Sequence, residues 1–382
     1  MNRRCLLIAL ALASSTAVAQ VVPPPPTGTG QPQRGRGGPP REMWRTAADT
    51  QRAKQLFVSN DTTDLPKLLN DSAGIAARLR TEAFFAEKSR GVMDFQIVSY
   101  KSHVDGLEIP AYVFSPLSKR GARGHAAMVW VHGYVHGRFE DRQLVWVKEA
   151  VARGYVIVTP QYRGSTGYSA SFYNAIDYGG KEVDDVYSAV AFIKSSLPYV
   201  DPDRLGIMGW SHGGFITSHI LFRDNQPFKA GAPMVPVTNL FFRLSLKGPQ
   251  YQRGFATQPG LQGLPFEKRE EYIKRSPVFQ AANLKVPILV HVATNDCDVD
   301  FVENQQMVYT LMALHPQLAD TKIYRDPPEG TSGGCGHTFS ERVVLDRGSP
   351  RYMERDDTPE QIDAWSRIWA FFQRNLNPDK GK

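Results

Sequence analysis

Gly209, Trp210, Ser211, His212 and Gly213 spell G-x-S-x-G directly after the apolar run RLGIMGW and before a helical pattern, with a further glycine at Gly214. In that setting a sharp strand-to-helix turn strains the serine backbone and aims its Oγ out of a sheet, while the glycines leave room for the neighbouring strand and helix. Serine is a weak nucleophile at neutral pH. Chemistry at Ser211 therefore needs a histidine to take its proton and a carboxylate to hold that histidine in the right tautomer.

In chains with this turn the order is serine, acid, histidine. Beyond the adjacent His212, the candidates for the base are His219, His291, His315 and His337. His219 falls on the helix after the turn, His291 inside a strand run and His315 near a helix end. His337 lies in TSGGCGHTFS, a glycine-rich loop between the last strand and the last helix, which is where a base belongs. The acid should follow the strand run VPILVHVA, where ATNDCDVDFVENQ offers Asp296, Asp298 and Asp300. Their alternation resembles the start of a calcium loop, but Phe301 and Met307 stand where such a loop needs glycine and glutamate, so that reading fails. Asp296, first after the strand, is preferred over Asp298. An oxyanion needs two preorganised donors, each contributing roughly 3 kcal/mol to the transition state. The backbone N–H of His212 supplies one. The loop VHGYVHG supplies the other, from the backbone of Gly133 or Tyr134 or from the Tyr134 hydroxyl. His132 and His136 in that loop have no third ligand at useful spacing, so neither a metal nor a cofactor is expected.

These residues need a sheet to hold them. FQIVSYKS and LEIPAYVFSP flank the turn His103–Gly106 and read as a hairpin. After them AAMVWVHG, YVIVTP, RLGIMGW, AGAPMVPV, VPILVHVA and TKIYRD alternate with helical patterns near 142–153, 182–195, from 212, 302–314 and 359–375. The stretch 239–279 reads as irregular. Buried β runs alternating with helices predict an α/β fold, a mostly parallel twisted sheet with helices on both faces, whose chemistry lies at the carboxyl ends of the strands. Residues 42–90 have apolar side chains at helical spacing, broken at 60–64, and predict two or three short helices ahead of the sheet.

Several stretches resemble the catalytic domain of the prolyl oligopeptidase family of serine peptidases, which has the α/β-hydrolase fold: VHG at 131–133, YRGSTGYS at 162–169, GGKEVDDV at 179–186, YVDPDRLGIMGWSHGG at 199–214, RSPVFQAANLKVPILVH at 275–291, DCDV at 296–299 and GCGH at 334–337. The likeness runs from about Phe95 to Asn375. It implies Ser211 as nucleophile, Asp296 as acid and His337 as base. Family peptidases usually carry a large β-propeller before this domain, whereas about 50 helical residues hold that place here. Trp210, Phe241 and Phe242, with Tyr134, are candidates for an apolar acyl or proline pocket.

The 382-residue chain opens MNRRCLLIALALASSTAVAQ, which reads as a secretory signal peptide cut near Ala19, followed by a Pro/Gly/Arg-rich tether over 20–41 too poor in apolar side chains to fold. The apolar run is shorter than the roughly 20 residues a spanning helix needs, so no stable membrane insertion is expected. Five of the formal charges in the net +7 are arginines ahead of Glu42, leaving about +2 on the folded part, and no nucleic-acid surface is implied. Residues 91–378 would then be one catalytic domain in an exported protein. Its expected activity is serine hydrolysis through an acyl-enzyme, on short peptides or acylated amino acids. An esterase with the same three residues is the alternative, and a binding protein that kept the fold a third reading. Once Cys5 leaves with the signal, Cys297 and Cys335 are the remaining cysteines. Cys297 follows the proposed acid and Cys335 precedes the proposed base by two, so if those assignments hold the loops meet and a disulfide joins them.

Overall fold

The structure, a computed structural model, describes residues 71–330 and 335–380. The expected signal peptide and tether, and residues 42–70 of the expected helical segment, lie outside the described residues. Of that segment, one 19-residue helix, α1 (Asp71–Ser89), is described. Arg78 on it donates from Nε to the Gly167 carbonyl at 2.7 Å, and Glu82 accepts the Tyr112 hydroxyl at 3.1 Å. Phe85 on the same helix is fully buried against Phe95, Tyr112 and Phe114.

Eight strands form one sheet: β1 (Asp94–Lys101), β2 (Glu108–Ser115), β3 (His125–Val131), β4 (Val156–Pro160), β5 (Val200–Trp210), β6 (Ala230–Met234), β7 (Ile288–Ala293) and β8 (Ala319–Tyr324). Their spatial order is β1-β2-β4-β3-β5-β6-β7-β8. The expected hairpin is present as the antiparallel pair β1–β2, and β2 also runs antiparallel to β4. All pairs from β4 to β8 are parallel. This is the α/β-hydrolase arrangement, with an antiparallel edge on a parallel body. The inner strands β3, β4, β6 and β7 are buried along their whole length, as the unbroken apolar runs require when helices cover both faces.

The helices between strands are α2 (Leu144–Ala152), α3 (Ala170–Asn174), α4 (Lys181–Ser196), α5 (His212–Leu221), α6 (Leu240–Leu246), α7 (Pro249–Ala256), α8 (Arg269–Lys274), α9 (Phe301–Leu314) and, after β8, α10 (Pro359–Leu376). Residues 239–279 are thus not irregular. They hold α6, α7 and α8, each too short to show an apolar period in sequence, and Asn239 starts α6 by accepting the N–H of Phe241 at 2.9 Å.

Side-chain alternation along the strands builds two cores. Ala127, Val129 and Val131 of β3 join Leu205 and Ile207 of β5 under α4, α5 and α9. Ala126, Met128 and Trp130 join Met208 and Trp210 under α1, α2 and α10. Each fully buried large side chain contributes about 1.5–3 kcal/mol, so a register slip of one residue on β3 or β5 would forfeit several such terms at once.

Candidate active site

Ser211 stands between the end of β5 and the start of α5 with φ 56° and ψ −118°. A serine held there stores about 1–3 kcal/mol of backbone strain, which persists only when its surroundings over-determine it. Its N–H donates to the Met234 carbonyl on β6 at 2.9 Å, and its carbonyl accepts the Phe215 N–H at 2.9 Å. The backbones of Gly209 and Gly213 press against each other, and Gly213 presses against the Val131 carbonyl, so a Cβ at either glycine would collide with main chain. Sheet and helix close on the turn from both sides, and Ser211 is left 8% exposed.

The loop after β3 lies directly beside it. A Cβ built on Gly133 would stand 3.7 Å from Ser211 Cβ and 3.2 Å from the Trp210 carbonyl oxygen. Tyr134 follows with φ 61°, its carbonyl accepting the hydroxyl of buried Tyr162. The Tyr134 ring is exposed and its hydroxyl accepts from Arg142, which leaves the phenol proton free to donate. His212 opens α5, so its N–H has no acceptor within the helix. Its imidazole is buried with neither nitrogen hydrogen-bonded, 3.6 Å from Glu182 Oε1. Burial raises the Glu182 carboxyl to about 8, although it accepts the N–H groups of Gly179 and Gly180.

Asp296 and His337 arrive from the loops after β7 and β8. Asp296 Oδ1 accepts the N–H groups of Asp298 at 3.0 Å and Val299 at 2.9 Å, which fixes the carboxylate so that Oδ2 meets His337 Nδ1 at 2.8 Å. Gly336 donates its N–H to the Asn295 carbonyl at 3.2 Å, and a side chain at Gly336 would collide with the Asn295 amide. Cys297 and Cys335 are joined by a disulfide with Cα atoms 5.9 Å apart, and the Cys297 N–H points at Cys335 Sγ from 3.1 Å. Burial disfavours the His337 imidazolium, but the charge and hydrogen bond of Asp296, helped by Asp298, outweigh it and hold His337 above its ordinary value. The Ser211 hydroxyl makes no hydrogen bond to His337, whose Nε2 instead faces Asp298 Oδ2 at 3.4 Å.

The other histidines go elsewhere. His219 Nε2 lies 3.3 Å from the Arg275 carbonyl and His315 Nε2 3.0 Å from that of Ala281, while His291 is buried in β7 against Tyr324. His132 stacks on Tyr162 and reaches Ser165 at 2.9 Å, and His136 stacks on Tyr173. Burial holds His132, His219 and His291 down at about 3. Among the described residues no group of three or more His, Cys, Asp or Glu side chains is arranged to hold a metal ion.

One expectation is corrected. Trp210 is not a pocket residue: strand parity turns it to the face away from α5, where it stacks on Trp130 and Trp365 and donates to Ser340 Oγ at 3.0 Å. Phe241 is half-buried and packs on Tyr272 and Phe279, whereas Phe242 stands at the surface of the same helix. The residue of α6 that reaches the site is their neighbour Arg243. Buried, it donates to the Tyr251 hydroxyl at 2.6 Å and the Asp298 carbonyl at 3.1 Å, with Nη2 3.7 Å from Asp298 Oδ1. Behind it, Glu303 Oε1 accepts the N–H groups of Thr238 and Asn239, and burial raises that carboxyl to about 7. Neither residue has a sequence signal, because α6 and α9 converge on the loop after β7 only in three dimensions. The concavity lined by Tyr324, Arg325, Pro359 and Asp363 contains none of the residues that gather around Ser211.

Residues 141–330 match the model of the prolyl oligopeptidase family, a span that includes Ser211 and Asp296 and stops short of His337. Among curated relatives, an uncharacterized peptidase of Bacillus subtilis is 32% identical over 58% of this chain and 33% of its own length. Dipeptidyl aminopeptidase BIII of Pseudoxanthomonas mexicana is 31% identical over 42% of this chain and 24% of its own. Among solved structures, the acylaminoacyl peptidase of Pyrococcus horikoshii superposes with a TM-score of 0.59 at 24% identity over 76% of this chain and 43% of its own. A puromycin-hydrolyzing peptidase of Mycobacterium tuberculosis gives 0.58 at 20% identity, covering 74% and 39%. The chain thus spans about a third or less of the curated relatives and under half of these solved chains. These likenesses carry the fold, and the family match falls on the segment that bears the strained serine turn and the acid loop. Residues 141–330, the segment that holds Ser211 and Asp296, belong to the prolyl oligopeptidase family.

Proposed function

We propose that the protein is a serine hydrolase that cleaves amide bonds of short peptides or acylated amino acids through an acyl-enzyme on Ser211. The observation that carries this reading is the pairing of a strained serine at a strand-to-helix turn with a buried His337–Asp296 couple at the ends of neighbouring strands. His337 takes the Ser211 proton as Oγ attacks the scissile carbonyl, and Asp296 stabilises the imidazolium that forms. The His212 N–H and a donor of the Gly133–Tyr134 loop receive the oxyanion. His337 then returns the proton to the leaving amine, and a water repeats the sequence to release the acyl group. The direct Ser211–His337 hydrogen bond forms on substrate binding, as is common when catalytic groups are loosely aligned without substrate.

Labelling by a fluorophosphonate tests the nucleophile. The native chain should label and the Ser211→Ala variant should not, and an unlabelled native chain would sink the reading. Amide specificity is supported by the family, and turnover confined to nitrophenyl esters, with none of aminoacyl anilides, would replace it by an esterase. Export with cleavage near Ala19 is part of the same proposal. It is supported by the basic, apolar and small-residue succession at the start of the sequence and by a disulfide beside the site, and cell fractionation with N-terminal sequencing tests it.

A further inference from the structure

The last strand, β8, ends the sheet. It pairs with β7 along one side, and among the described residues no strand pairs with its other side. The carbonyls of Leu318 and Tyr324 accept the N–H groups of Ile288 and Thr294, at the two ends of β7, at 2.9 Å. The even-numbered residues of β8 therefore turn their main chain toward β7, and the odd-numbered ones turn theirs outward. The Ala319 N–H is taken by the His315 carbonyl at 2.9 Å. What faces out is the Ala319 carbonyl and both main-chain groups of Thr321 and Ile323, on a stretch that is half-buried from Ala319 to Ile323. An open row of this kind is a template for another strand.

The side chains say which strand. Asp320 and Lys322 stand symmetrically about Thr321. Under a two-fold axis through Thr321, two copies of β8 pair antiparallel. Thr321 then meets itself and exchanges two N–H···O bonds, each Ile323 N–H meets an Ala319 carbonyl, and Asp320 of each copy lies opposite Lys322 of the other. The charges fall at a non-hydrogen-bonded position, where facing side chains are closest. Within its own chain Asp320 reaches Arg374 at 3.6 Å with both side chains exposed, so little opposes a second cation there. Moving the axis two residues back puts Pro316 opposite Lys322, and moving it two forward sets Asp320 against Asp326, so Thr321 is the favoured centre. An apolar stripe lies beside this edge. Val302, Tyr309 and Met312 recur at helical spacing on α9 and are each about half exposed, and Met312 shares one concavity with Pro316, Ala319, Asp320 and Thr321. The same axis brings the two stripes together on one side of the joined sheet. We infer that β8 and α9 are the interface for a second copy of this chain, forming a two-fold dimer in which the two sheets join edge to edge. An unrelated strand would match Asp320 and Lys322 by accident, whereas a second copy matches both by symmetry.

Sedimentation equilibrium of the full chain and its variants tests this. The native chain should be a dimer with a Kd of about 10 µM or tighter. Lys322→Asp sets aspartate against aspartate at both charge positions and should raise Kd by at least about tenfold. Combining it with Asp320→Lys exchanges the two charges and should return Kd to within about threefold of native. Urea midpoints are read for each variant, so that a folding defect is seen as one. Thr321→Cys reads the register without weakening the contact. Facing Cα atoms in a hydrogen-bonded antiparallel pair are about 5.5 Å apart, within reach of a disulfide, so mild oxidation should give a crosslinked dimer that the native chain, treated alike, does not give. A native chain that stays monomeric up to about 100 µM, a dimer indifferent to Lys322→Asp, a folded charge-exchanged variant that does not reassociate, or a Thr321→Cys chain that does not crosslink would each overturn the inference.

Discussion

Removing the crosslink between the acid and base loops separates two roles that a disulfide can play. The Cys297→Ala/Cys335→Ala double variant leaves no free thiol in the described residues, and it opens a loop whose ends are 38 residues apart in sequence. In the chain-entropy account, closing a loop of that length restricts the unfolded chain by about 4 kcal/mol, and that amount should be lost on its removal. The folded loops keep other ties. Asp296 Oδ2 still meets His337 Nδ1 at 2.8 Å, and the Gly336 N–H still reaches the Asn295 carbonyl at 3.2 Å. Each of these contributes on the order of 1 kcal/mol, enough to keep the imidazole in register while the protein is folded. Urea unfolding followed by tryptophan fluorescence should therefore show a loss of about 4 kcal/mol, while kcat at 25 °C falls by less than about threefold. Unchanged stability would refute the entropic argument. A large loss of kcat in a variant that is still folded would instead mean that the crosslink positions His337 directly.

The acid limb of kcat/KM should lie above the ordinary histidine value of 6.5, because Asp296 and Asp298 together outweigh burial at His337, and Asp298→Asn should move it to lower pH. The same raised value stabilises the fold: the contribution is complete below about 6.5 and is lost as pH rises through the folded value, so the melting-temperature difference between the native chain and His337→Ala should narrow from pH 6 upward. Trp210→Ala should cost about 3–5 kcal/mol of stability in urea unfolding without altering the ratio of kcat/KM between substrates, since its ring fills the core and not the pocket.

Much of the fold was legible because its signals are local. Apolar runs such as VWV and VIV can only be strands covered on both faces, and a serine between flanking glycines after such a run marks a tight turn into a helix. The order of Ser211, Asp296 and His337 along the chain was legible too, since each sits in a loop that follows a recognisable strand. What could not be read depends on which way a side chain faces or on what distant elements bring together. Trp210 adjoins Ser211 in sequence, yet strand alternation sends the two in different directions. The short helices α6, α7 and α8 carry too few turns to declare a period. Arg243 reads as one arginine among many until α6 is laid across the acid loop. Glu182 lies 29 positions before Ser211 and meets His212 only because α4 and α5 pack together.

The stacked tryptophans have an optical consequence. Trp130, Trp146, Trp210 and Trp369 gather around Trp365, with the contacting ring centres 4.9–5.7 Å apart. The chain holds six tryptophans in all, and Trp44 is the one left. Indoles this close share their excitation, so the near-ultraviolet circular dichroism of the folded protein should be dominated by coupled bands and not by five independent chromophores. The native emission is then a property of the assembled stack. Because Trp365 and Trp369 belong to α10 while Trp130 and Trp210 belong to the sheet, the signal reports the seating of the last helix on the sheet beneath Ser211.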